Sequence, residues 1–212
     1  MVDENFVVRI PDSLGLDVAA PLLCAGVTTY SALRRNGAGE GTGVGGVGLG
    51  GLGHLAVKIA HAMGARVTVL SRSLAKRDRG LALGADDHRA LADPATLAEL
   101  AGGLDLLVNT VSADLDVNDL MGLLGAGGVL AYVGVPENPI SVPVLAMEDR
   151  GLTITGSSIG GIRETEEMLA FCAGHGIGAD VEVIAPHQIN EAYERMLASD
   201  VYFRFVIDMT AL

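Results

Sequence analysis

Apolar residues fall into two kinds of segment along this chain. Short, nearly unbroken apolar runs at residues 66–71, 104–111, 128–135 and 152–157 read as strands covered on both faces, the pattern of a parallel sheet. Between and around them, residues 17–36, 55–63, 163–174 and 189–197 carry apolar positions at helical spacing. The first helix contains Cys24 and Thr28 and ends near Asn36 and Gly37, and Gly64 is placed to end the second. In the helix at 163–174, residues 163–168 supply a charged outer face while Met168, Leu169 and Phe171 turn inward. Strand and helix in alternation predict an α/β fold with a doubly wound parallel sheet of the Rossmann type. Two segments bracket that sheet without belonging to it: a short strand at 5–10, stopped by Pro11, and a clear alternating strand at 203–208.

A glycine-rich stretch separates the first two helices. Its strand core is residues 44–47, where Gly45 and Gly46, with Gly43 just before, stand in place of β-branched residues and predict a weak strand. Gly48, Leu49, Gly50, Gly51, Leu52 and Gly53 follow, with Gly48, Gly50 and Gly53 at G-x-G-x-x-G spacing directly before a helix. The first glycine permits a tight turn, and the second lets backbone approach a pyrophosphate. The third lets the helix pack close to the strand. Among 29 glycines in 212 residues the spacing alone could arise by chance. Its place inside a strand–helix–strand unit makes it a dinucleotide-binding loop rather than a structural turn.

The next strand ends in Ser71, Arg72 and Ser73, with Lys76 and Arg77 close behind. A site that prefers NAD usually has an acid about 20 residues past the glycines to hold the ribose 2′-hydroxyl. No acid lies between Ala65 and Arg77. Two hydroxyls and three cations suit a 2′-phosphate instead, through charge-assisted hydrogen bonds of roughly 1.5–3 kcal/mol each. NADP(H) is therefore expected over NAD, the alternative being an ordinary solvated basic loop.

Composition narrows the class further. Half the residues are hydrophobic, enough for a sizeable core, and no apolar run approaches the roughly 18 residues that suggest a membrane span. No basic stretch followed by an apolar one opens the chain, so no secretion signal is expected. A formal charge of −12 argues against nucleic acid as a partner. Two cysteines, Cys24 and Cys172, are too few for a disulfide framework, which suits a reducing, cytoplasmic setting. By itself Cys24 reads as a small buried hydrophobe, and Cys172, on the apolar side of a helix, as a core residue. His54 and His61 share a helix face with no third ligand and read as packing or pocket lining. His88, His175 and His187 read as surface residues in loops.

The order of motifs resembles the zinc-dependent medium-chain alcohol dehydrogenases, in particular their cinnamyl alcohol dehydrogenase branch, which includes bacterial NADPH-dependent aldehyde reductases. The resemblance rests on Pro-Leu-Leu-Cys-Ala-Gly-Val-Thr-Thr-Tyr-Ser at 21–31, the glycine loop followed by His54, and Lys-Ile-Ala-His-Ala-Met-Gly-Ala at 58–65. It continues through Asn109, Thr110 and Val111, Gly-Ser-Ser-Ile-Gly-Gly at 156–161, Glu-Thr-Glu-Glu-Met-Leu at 164–169 and Asp-Val-Tyr-Phe-Arg-Phe-Val at 200–206. These matches run from about residue 5 to 209 in a single order.

The resemblance implies a role for particular residues. Cys24 matches the family's third protein ligand to the catalytic zinc, and Thr28 a residue lining the cofactor pocket. Gly48 to Gly53 match the pyrophosphate loop, and Ser71, Arg72, Ser73 and Lys76 the 2′-phosphate pocket. Thr110 and Gly134 match contacts along the ribose and nicotinamide, and Ser157, Ser158 and Ile159 the segment beside the nicotinamide ring. The family supplies its other zinc ligands from an N-terminal barrel domain, as a cysteine and a histidine in Gly-His-Glu. This chain has no Gly-His-Glu and no cysteine before Cys24, so it is not expected to hold zinc stably by itself. It reads as a remnant of that domain at 1–16, an NADP-binding Rossmann domain at 17–180, and a return toward the missing domain at 181–212.

The expected function is hydride transfer between NADP(H) and an aldehyde or alcohol, in a chain lacking normal turnover alone. The alternative is a non-catalytic NADP-binding module. Exposed remnant strands and a sheet edge favour pairing of two copies. A short-chain dehydrogenase would need Tyr-x-x-x-Lys, and the positions four before Lys58 and Lys76 hold His54 and Arg72. A methyltransferase would want an acid after the second strand.

Overall fold

A computed structural model of the chain describes residues 1–211. The chain forms two compact units, one of Thr28–Ile159 and one of Met1–Val27 together with Gly160–Leu212.

The N-terminal segment departs from expectation. Residues 5–10 make no strand: Glu4–Phe6 is a single 3-10 turn capped by Asp3, and Phe6 and Val7 are exposed. No described strand pairs with this segment, and an unpaired strand leaves its backbone groups to water. The helix expected at 17–36 is two helices, α1 (Leu16–Ala19) and α2 (Ala25–Arg35), joined through a 3-10 turn at Ala20–Leu23. Pro21 in the first turn of that 3-10 piece has no N–H to extend α1, and the backbone breaks at Cys24 (φ −124°, ψ −73°).

The larger unit is one six-stranded parallel sheet. Its elements run β1 (Gly43–Val47), α3 (Gly53–Ala62), β2 (Arg66–Ser71), α4 (Arg77–Ala82), β3 (Asp87–Ala90), α5 (Pro94–Glu99) and β4 (Leu104–Asn109). They continue through α6 (Val117–Leu123), β5 (Leu124–Tyr132), α7 (Val144–Glu148) and β6 (Thr153–Gly156). The strand order β3-β2-β1-β4-β5-β6 makes this the expected doubly wound Rossmann-type sheet, with its switch point between β1 and β4. β4 stops two residues before the end of the apolar run, leaving Thr110 and Val111 in the loop. β5 begins earlier than the pattern suggests and ends at Tyr132, so Gly134 lies beyond it.

The glycines of β1 have a packing reason. A Cβ on Gly45 would stand 2.3 Å from Leu107 Cδ2 and 2.9 Å from Leu104 Cδ1, so β4's leucines fill the space a side chain would take. All of β1 is buried, paired along its length with β2 and over four residues with β4. The expectation of a weak strand is corrected accordingly. On the Leu107 face a core of Val47, Leu70, Leu104, Leu120, Met121, Leu123 and Leu130 forms beneath α6. On the other face a Cβ on Gly46 would stand 3.9 Å from Val57 Cγ2 of α3, ordinary contact distance.

The second unit carries α8 (Ile162–His175), β7 (Val181–Ile184), α9 (Ile189–Leu197) and β8 (Arg204–Ile207). β8 is the alternating strand read from the sequence, and it pairs in parallel with β7, a strand the pattern did not reveal. Cys172 on α8 is fully buried with Met168 and Leu169, and burial pushes its thiol up to about 12, which keeps it a packing residue. Among the described residues no single helix is long and apolar enough to cross a membrane.

Candidate functional site

The turn from β1 into α3 brings the glycine loop to the carboxyl end of the sheet, at the switch point. Gly48 has φ +92°, a conformation that L side chains rarely adopt, and its N–H donates to Leu70 O at 2.8 Å. A Cβ on Gly53 would stand 2.1 Å from Gly48 O, so only glycine lets α3 start this close to the strand. A Cβ on Gly50 would meet nothing within 4 Å, and Gly50 is exposed. The three glycines thus divide as the loop chemistry requires: a left-handed turn, an open approach, and a close helix start. Leu49 is buried, Gly51 and Leu52 are half-buried, and α3 directs its partial positive charge toward the loop.

Across the switch point, Thr110 lies against the same turn. Its N–H and Oγ both donate to Val47 O, at 3.0 and 2.8 Å. The buried Asn109 accepts from Val111 N at 3.2 Å through Oδ1. Gly134 is packed against this loop from β5, and a Cβ there would stand 2.2 Å from Val111 O. Ser157 follows β6, its N–H donating to Tyr132 O at 2.8 Å while its buried Oγ has no hydrogen-bond partner among the described residues. Ser158 and Ile159 are exposed, and Ile159 has φ +47°, strained for a β-branched residue.

The loop after β2 carries the basic groups. Lys76 reaches back so that Nζ donates to Leu49 O at 3.4 Å, tying this loop to the glycine turn. Arg72 and Ser73 are exposed, and Ser73 caps the turn by accepting from Ala75 N at 3.5 Å. Ser71 is half-buried, with Oγ 2.7 Å from Ser73 O and 2.7 Å from His88 Nε2. His88 corrects the surface reading: it sits on β3 and is only 1% exposed. The acids and arginine around it mask a strand whose histidine points inward. Burial lowers its pKa and Arg77 acts in the same direction, outweighing the Ser73 and Arg77 carbonyls and Asp87, which favours the neutral ring.

The other histidines divide. His54 is fully buried at the start of α3, its Nδ1 3.1 Å from Gly50 O, while His61, one face-turn later, is exposed. His175 and His187 are exposed, the first in the last turn of α8 rather than in a loop.

The site residues thus form one connected group in Gly48–Gly53, Ser71, Ser73, Lys76, Thr110 and Gly134, with Ser157 on the neighbouring strand end. Thr28 is buried in the first turn of α2 without a described bond to that group. Cys24 is exposed, in the other unit. Among the described residues no group of three or more His, Cys, Asp or Glu side chains converges on one point, so the residues present do not fit a zinc ion. For a dinucleotide the fit is better: an open glycine turn, a helix start and a basic loop lie together at the switch point.

Residues 51–174 match the family model described as zinc-binding dehydrogenase. The chain is 58% identical over all 212 residues to NADP-dependent alcohol dehydrogenase C 1 of Mycolicibacterium smegmatis, covering 61% of that protein. A cinnamyl alcohol dehydrogenase from Sorghum bicolor superposes with a TM-score of 0.94 at 43% identity, over 99% of this chain and 60% of that one. The cinnamyl alcohol dehydrogenase of Helicobacter pylori, solved with NADP(H), gives 0.88 at 38% identity, over 99% and 60%. The chain therefore spans about three fifths of the length of these relatives. On this evidence it belongs to the zinc-binding dehydrogenase family.

Proposed function

We propose that the chain is the NADP(H)-binding part of an alcohol dehydrogenase or aldehyde reductase. In this reading residues 17–180 hold the cofactor, and residues 1–16 and 181–212 lead from and back to a catalytic domain. The bound cofactor would exchange hydride with the carbonyl carbon of an aldehyde or alcohol. Gly48–Gly53 and the start of α3 would bind the pyrophosphate, and Ser71, Arg72, Ser73 and Lys76 the 2′-phosphate. Thr110, Gly134, Ser157, Ser158 and Ile159 would line the ribose and nicotinamide, with Thr28 at the pocket wall. Cys24 belongs to no group of three or more His, Cys, Asp or Glu side chains among the described residues, so the chain by itself offers no zinc site. Turnover by this chain alone is not expected, and β6, an edge strand, is the proposed surface for pairing two copies.

The observation that carries the reading is the Lys76 Nζ–Leu49 O contact, which puts a cation and two serines beside an open glycine turn with no acid on β2. Calorimetric titration with NADPH and NADH tests it. NADPH should bind clearly tighter, and Lys76→Ala should weaken NADPH by about tenfold or more while leaving NADH unchanged. Equal binding of both cofactors would refute the 2′-phosphate assignment. The second reading, a non-catalytic NADP-binding module, is favoured by the isolation of Cys24. Aldehyde-dependent NADPH oxidation with one zinc per chain would exclude it.

A further inference from the structure

His88 has no place in the cofactor contacts just described, yet it is buried beside them, only 1% exposed. It stands opposite Val69 in the β2–β3 pairing, two residues before Ser71 on the same face, so its ring reaches the serine diagonally. Gly80 of α4 makes room for it: a Cβ there would stand 2.7 Å from His88 Nδ1. The ring therefore has little freedom to move away from Ser71.

The two contacts of Ser71 favour one ring nitrogen as the carrier of the proton. Ser71 Oγ has one proton and two neighbours at 2.7 Å, Ser73 O and His88 Nε2. Ser73 O can only accept. Were Nε2 bare, Ser71 would face two acceptors and could serve one. With the proton on Nε2, His88 donates to Ser71 Oγ and Ser71 donates to Ser73 O, satisfying both contacts. Nδ1 is then the bare nitrogen, one of the buried side-chain atoms that have no hydrogen-bond partner among the described residues.

The geometry points to His88 as a positioning residue for Ser71, holding the serine oxygen in place while leaving its proton to be donated. In the free protein that proton goes to Ser73 O. In the complex it swings to an oxygen of the cofactor's 2′-phosphate, while the bond from Nε2 keeps Oγ where it is. This rests on the reading of Ser71 as part of the 2′-phosphate pocket. The neutral state favoured by burial suits the role, since one proton on Nε2 is all that it requires.

Two amide substitutions separate this role from simple packing. In His88→Gln the side-chain amide reaches about as far as Nε2 and can still donate to Ser71. In His88→Asn it reaches only to the Nδ1 position. Titration of the whole chain should show H88N weakening NADPH about tenfold with NADH changed less than twofold, and H88Q restoring NADPH to within about threefold. In a Ser71→Ala background, H88N should have no further effect on NADPH. Equal losses for NADPH and NADH in H88N, or equal NADPH losses in H88N and H88Q, would overturn the inference, since packing alone would produce either. So would full additivity of S71A and H88N. If the unaltered chain does not distinguish NADPH from NADH, the 2′-phosphate reading itself fails, and this inference with it. A preference for NADPH that H88N leaves undiminished defeats only the role of His88.

Discussion

The six-stranded sheet and the β7–β8 pair use the same connection, a strand followed by a helix and a parallel strand, but they are held together differently. In the large sheet β1 and β4 are buried, and side chains interlock so tightly that Leu107 occupies the volume above Gly45. In the small one the strands are four residues long and half-exposed, with Val183 51% and Ile207 40% exposed. Polar groups supply what apolar burial does not. Glu182 on β7 accepts from Arg195 of α9 and from Tyr202 N, both at 2.7 Å, and Arg195 also pairs with Asp200 and lies over the Phe205 ring. One topology can thus rest on apolar packing where helices cover both faces, and on a charged clasp where they do not.

The sharpest way to break the comparison is Leu107→Ala. It should cost about 2–5 kcal/mol in a urea titration, because the cavity opens directly onto a glycine with no side chain to relax into it. Adding Gly45→Ala to that variant should return part of the loss, whereas Gly45→Ala alone should destabilise. In the small sheet, Glu182→Ala should cost about 1 kcal/mol, read as faster hydrogen exchange of the β7 and β8 amides, because the Tyr202 N–H loses this acceptor and Arg195 keeps only Asp200 as an ion-pair partner. The clasp also has a pH signature. The Tyr202 N–H and then Arg195 hold the Glu182 carboxyl below its usual 4.5. The unfolded chain therefore takes up this proton first. The contribution is complete above pH 4.5 and is lost as pH falls through the folded value, an acid-side slope that Glu182→Ala should remove. Val183→Ala, at a half-exposed position, should change stability by only about 0.5 kcal/mol. A cost there as large as Leu107→Ala would erase the distinction between the two sheets.

The same contrast explains what could be read from the sequence. Where burial is two-sided, the apolar runs of β2, β4 and β5 announce themselves, and the glycine loop follows from spacing and context. Where burial is partial, pattern fails. β7 is four residues with a glutamate in the middle, and β3, an edge strand reading Asp-His-Arg-Ala, shows no apolar run at all. His88 was hidden for that reason, since its inward face depends on Gly80 and Ser71, neither adjacent in sequence. The strand expected at 5–10 shows the reverse error, a short apolar stretch with no described ladder to join. The helix expected at 17–36 was read through Pro21, although proline was the visible signal for its break. Loop residues were legible by resemblance, but the Lys76–Leu49 contact that draws the basic loop to the glycine turn is tertiary.

The strand order has a consequence for biosynthesis. β1 finds one neighbour in β2 soon after it is made, but its other neighbour, β4, comes off the ribosome only after residue 104. At about 5–20 residues per second, β1 waits several seconds with one edge unpaired. An apolar, β-branched strand in that position would invite a wrong partner. Gly43, Gly45 and Gly46 make the waiting edge a poor template for one. Gly45, which lets Leu107 pack in the finished molecule, is by the same lack of a side chain a poor site for premature pairing.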